Sequence, residues 1–111
     1  MSKFNFKSQI CTSREQSERL LALGLKKETA DCHWKDEAYF DDYEDWNAYV
    51  GSPKHSKHIP AWSLHRLIEM VARTQYPYYV ISKELPIYDA LCERIEWLIK
   101  EGYFNKEYLE E

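Results

Sequence analysis

The chain of 111 residues is poor in glycine, with three, in proline, with four, and in methionine, with two. That scarcity excludes collagen-like and low-complexity chains and leaves no Gly/Pro-rich linker between domains. No GxGxxG, P-loop or GxSxG sequence occurs, so the common phosphate cradles and the strained serine elbow drop out. The three cysteines, Cys11, Cys32 and Cys92, are odd in number, far apart and without a CxxC pair, which fits an extracellular disulfide scaffold poorly. No apolar run approaches the roughly 18 residues that a membrane span requires. The opening residues Met1 to Phe4 lead into no apolar signal-peptide segment. Together these absences set the expectation of a cytoplasmic protein with reduced, mostly buried thiols and no membrane partner.

What is present suits a single domain spanning residues 1–111. Hydrophobic residues make up 44% and aromatics 15%, too rich for disorder, and 31% charged residues is ordinary for a soluble protein. A chain of this length buries about two-thirds of its unfolded surface, enough for one core without metal or disulfides. Three helices are legible. Thr12-Ser13-Arg14-Glu15 predicts a capping box at Thr12, Leu20, Leu21 and Leu23 supply the apolar side, and Gly24 is a natural stop. The polar first turns predict that only the distal end of this helix packs deeply. Ser63 predicts the N-cap of a second helix, with Trp62 folding onto Leu67 and an apolar stripe of Leu64, Leu67, Ile68, Val71 and Ala72. Pro60 is expected to keep the preceding chain out of that helix. Pro86 predicts the start of a third helix with the stripe Tyr88, Leu91, Cys92, Ile95, Leu98 and Ile99, ending at Gly102. Strands are expected from Asp31 to Trp34, from Trp46 to Val50, and from Tyr78 to Ile81. The expected fold class is α+β, with three helices packed on a small two- to three-stranded sheet.

Charge is unevenly spread along a chain whose net charge is only −4. Residues 31–50 hold seven acidic side chains and one basic, whereas residues 51–83 hold five basic and one acidic. Such blocks can close on one another within one fold, or form opposite faces that stack copies of the protein head to tail. The most unusual stretch is DEAYFDDYEDWNAY, residues 36–49, with six carboxylates, five aromatics and no basic residue. Its partner-binding candidates are Tyr39, Asp41, Asp42, Tyr43, Glu44, Asp45, Trp46 and Tyr49, since Tyr and Trp give large contact area at low entropic cost. The bland alternative is a solvated loop with aromatic core anchors, or a short amphipathic helix through Tyr39, Tyr43 and Trp46.

Other chemistry is thinly supported. His55 and His58, with Cys32 or His33, offer possible metal ligands, but adjacent strand residues point to opposite faces and the spacing is not that of a zinc site. Cys92 lies on an apolar stripe, where a thiol acts as a small hydrophobe. No residue is therefore assigned to catalysis, a cofactor or a metal. Lys54, Lys57, Arg66, Arg73 and Lys83 form a basic segment, yet the acidic balance of the whole argues against direct nucleic-acid binding.

Three stretches, EQSERLLALGLKKETADC, PAWSLHRLIEM and DALCERIEWLIKEGY, about two-fifths of the chain, carry a resemblance. The chain resembles a widespread group of small uncharacterised proteins encoded by gut anaerobic bacteria and by their phages and mobile elements. The matching features are Leu23-Gly24 with Thr29-Ala30-Asp31, the helix opening Pro60 to Leu64, and the pair Trp97-Leu98. The resemblance implies a phage or mobile-element setting and brings no activity with it. It also implies one hairpin strand fewer than many relatives between Tyr78 and Pro86. The expected function is that of a small interaction protein binding a protein partner or forming a homo-oligomer, without catalysis. A counter-defence inhibitor whose acidic surface mimics nucleic acid is the first alternative. A ligand sequestrant or enzyme with a pocket between helices and sheet is the second.

Overall fold

In the computed structural model, which describes residues 9–39, 43–74 and 85–110, the chain runs α1 (Arg14–Ala22), β1 (Cys32–Asp36), β2 (Trp46–Val50), β3 (Ile59–Ala61), α2 (Leu64–Ala72) and α3 (Ile87–Lys100). The described residues thus form three helices and one antiparallel sheet of order β2-β1-β3, an α+β fold. The strand expected from Tyr78 to Ile81 lies outside the described residues.

Helix α1 begins one residue later than the sequence suggests. Ser13 is its N-cap, accepting a hydrogen bond from the Gln16 N–H, and the Gln16 side chain returns to the Ser13 N–H at 2.8 Å. Thr12 is engaged elsewhere. Its hydroxyl accepts from the Trp62 N–H at 3.1 Å and shares a 2.7 Å bond with the Ser17 hydroxyl, while its own N–H donates to the Trp62 carbonyl at 2.9 Å. The polar entrance of α1 is therefore buried against the end of β3, contrary to the expectation that only the distal end packs deeply. Burial of Thr12 and Ser17 is tolerable because each hydroxyl has a partner.

Two helices end in the same way. After α1, Gly24 takes φ of 97°, the Leu25 N–H bonds to the Leu20 carbonyl, and both leucines are buried. After α3, Gly102 takes φ of 77° and the Tyr103 N–H bonds to the Leu98 carbonyl. Both are Schellman endings, in which a left-handed residue closes the last carbonyls and an apolar contact seals the turn.

Strand β3 contains Pro60, which the sequence reading treats only as a helix stop. Proline lacks an N–H for a ladder, but β3 is an edge of this sheet, where that loss is tolerated. The register is His33 opposite Tyr49 on one side and opposite Pro60 on the other. On one sheet face Cys32 and Ala61 join Cys11 in a small buried cluster, flanked by Trp34 and Ala48.

The main core is helical. Leu20 of α1, Leu67, Met70 and Val71 of α2, and Leu91, Cys92, Ile95 and Leu98 of α3 bury together with Trp62, Leu25, Ala30, Tyr88 and Phe104. The stripes of α2 and α3 thus meet in one interior. Ala72, expected on the α2 stripe, is exposed, and Met70 takes the buried place, because the buried arc of this helix is rotated by part of a turn. Trp62 is fully buried in the same cluster as Leu67, and its indole N–H reaches the Thr29 hydroxyl at 2.9 Å. A single helical turn at Lys106–Tyr108 follows α3, and Leu109 bridges to Leu25.

Candidate interaction surface on the hairpin

The described residues of the acidic and aromatic stretch run from the end of β1 into β2. Residues 46–49 lie in a strand, so an amphipathic helix through Tyr39, Tyr43 and Trp46 is not what forms. A strand turns alternate side chains to opposite faces, which separates Trp46 from Tyr49. Trp46 shares its face with Trp34 and Ala48, half-buried under the guanidinium of Arg14, which sits 5.0 Å from the ring centre. Tyr49 lies on the other face beside His33.

The tip side chains stand clear of both buried clusters. Tyr39 is 97% exposed and Tyr43 58%, whereas every core residue is nearly sealed. Asp41 and Asp42 lie outside the described residues. The remaining carboxylates divide by what they touch. One Asp36 oxygen accepts from the N–H groups of Asp45 at 2.9 Å and Ala38 at 3.1 Å, and these bonds hold its carboxyl below the usual carboxylate range. Asp36 therefore shapes the hairpin end. Glu37 accepts from the Tyr49 hydroxyl, which raises the phenol's pKa. Glu44 takes the Trp46 indole N–H at 3.3 Å and lies 4.0 Å from Arg14, an exposed pair of small energetic worth. Asp45 is exposed, and its carboxylate accepts from the Asn47 side-chain amide at 3.3 Å.

A second cluster flanks the first and brings together His33, His55 and His58, three of the residues weighed as metal ligands in the sequence. The loop between β2 and β3 folds over the outer sheet face and stacks His58 on His33, with ring centres 4.6 Å apart and planes 11° apart. His55 meets His58 edge-on at 5.0 Å, and Tyr49 stacks against His33 at 5.7 Å. The pairing register adds Tyr49 to the cluster by setting it opposite His33. The His33 ring bonds to the Gly51 carbonyl through Nδ1 at 2.8 Å, fixing its orientation. Stacked imidazoles direct their nitrogens sideways in parallel planes. Among the described residues no group of three His, Cys, Asp or Glu side chains converges as metal ligands. Partial desolvation, then the neighbouring His33, His55 and Lys35, hold the His58 pKa below its ordinary value.

The thiols offer no reactive group in this fold. Burial pushes Cys11 and Cys92 up to about 12 and raises Cys32 as well, so none carries thiolate near neutral pH. No helix among the described residues is long and apolar enough to cross a membrane. No family model matches this chain, and no curated protein or solved structure is significantly similar to it.

Proposed function

We propose that this is a small interaction protein, without catalysis, that engages a protein partner through the acidic and aromatic end of the β1–β2 hairpin. The surface comprises Tyr39, Asp41, Asp42, Tyr43, Glu44 and Asp45, flanked by Trp46 and Tyr49. The observation that carries the reading is the exposure of Tyr39 and Tyr43 beside a core that closes without them. Exposed tyrosines next to carboxylates suit a partner with basic residues around an apolar centre, since tyrosine supplies contact area and the acids steer association. The resemblance in sequence supports a phage or mobile-element origin for this protein.

The test is capture from extracts of the native host on immobilised protein, with the bound proteins identified by mass spectrometry. Tyr39→Ala combined with Tyr43→Ala is expected to abolish capture. So is reversal of Asp41, Asp42, Glu44 and Asp45 to lysine. Melting temperatures should stay near wild type, because neither tyrosine is buried. Undiminished capture by both variants would remove the hairpin end from consideration.

A further inference from the structure

We infer that a second copy of this chain pairs antiparallel with the free edge of β2, about a twofold axis through Ala48, joining the two sheets into one. This rests on the hairpin being the contact surface and names one occupant for it. The hydrogen bonds flanking the β1–β2 ladder fix which groups face outward. The Glu37 N–H donates to the Asp45 carbonyl at 2.9 Å, and the Gly51 N–H donates to the Asp31 carbonyl at 2.7 Å. Bonded and non-bonded pairs alternate along an antiparallel ladder. Asp45, Asn47, Tyr49 and Gly51 therefore turn their backbone polar groups towards β1. Trp46, Ala48 and Val50 turn theirs away, and none of the described residues bonds to them.

With the axis at Ala48, Ala48 faces its own copy and Trp46 faces Val50 of the second copy. Every outward N–H and C=O of those three residues then finds a partner in both copies. A shift by one residue would set an outward group against an inward one. Side chains agree with the register. Val50 is 83% exposed, an unusual place for a β-branched residue, and the pairing sets it beside Trp46 of the second copy on the same face. Charge agrees as well. Asp45 of one copy comes opposite Gly51 of the other, next to Lys54, which lines a groove with Tyr49, Val50 and Gly51. The acidic block of one chain thus meets the basic block of its copy, and the twofold repeats the contact at both ends. Finally, residues 46–50 read WNAYV, with no lysine or proline of the kind that guards an exposed edge.

Sedimentation velocity on the purified full chain across the micromolar range tests the proposal, together with amide hydrogen exchange. The wild type is expected to move from one chain mass to two with rising concentration, and the amides of Trp46, Ala48 and Val50 should gain protection in step. Ala48→Pro deletes the central outward N–H without touching the β1 ladder. Val50→Lys places a charge on the edge at a position too exposed to matter for folding. Both are expected to stay monomeric, and an unchanged melting curve for Val50→Lys shows that the fold is intact. A wild type that is monomeric throughout, or a dimer that survives both substitutions, overturns the proposal. Monomeric wild type that still captures a host protein through Tyr39 and Tyr43 sinks the dimer alone. A dimer whose tip variants capture as well as wild type upholds the pairing and sinks the tip reading alone.

Discussion

Ser63 fixes more than the start of a helix. Its hydroxyl oxygen accepts from the Arg66 N–H at 3.2 Å, its own proton goes to Asp31, and its N–H donates to the other Asp31 oxygen at 2.8 Å. One side chain therefore ties the entrance of β1 to the first turn of α2. Ser63→Ala is expected to lower stability by about 1–2 kcal/mol, the upper range for a lost cap, because Asp31 loses a donor as well. Urea denaturation checks this, and a change under about 0.5 kcal/mol would contradict it. Ser63 was legible because an N-cap needs only a local pattern. At α1 the same logic misplaced the cap by one residue, since Thr12 with Glu15 and Ser13 with Gln16 both fit a capping box. What decides between them is the backbone of Trp62, 50 positions away, which takes the Thr12 hydroxyl.

Among the elements, α3 was the most legible and β3 the least. Five of the six expected stripe positions of α3 are buried, because a long helix repeats its signal over several turns. Strand β3 has three residues and a proline, too little for periodicity to register. Leu98, in the last turn of that helix and fully buried, should cost about 2–5 kcal/mol on replacement by alanine, read as a shift in denaturation midpoint. The loop over the outer sheet face makes a different prediction. His58 is held below the ordinary histidine value of 6.5, so the unfolded chain takes up its proton at a higher pH than the folded one. Stability from this group is complete above 6.5 and is lost as pH falls below it. The melting temperature should therefore drop modestly between pH of about 7.5 and about 5, and His58→Gln should flatten the drop. A profile identical in wild type and variant would show that the stacked ring carries no such linkage.

Across the described residues, the apolar interior lies among the helices and one sheet face, and Tyr39 and Tyr43 stand outside it. The three buried thiols report on that arrangement together. In native protein at pH of about 8 a thiol reagent is expected to label none of them, because burial suppresses both access and ionisation. Labelling should appear at all three only as denaturant unfolds the chain, following the spectroscopic transition. Early labelling of one cysteine would mean that its part of the core opens separately.

The sequence by itself determined the three helices, the buried stripe of α3, the two glycine stops and the α+β class, because left-handed ends and helical periodicity are local properties of the chain. It also singled out residues 36–49 by composition. Only the tertiary structure decided that Asp36 is occupied by backbone donors, that His33 meets His55 and His58, and that β2 is an edge among the described residues. Those features depend on strand register and strand order, and both are set by contacts between segments far apart in the chain, for which no single stretch of residues carries the information.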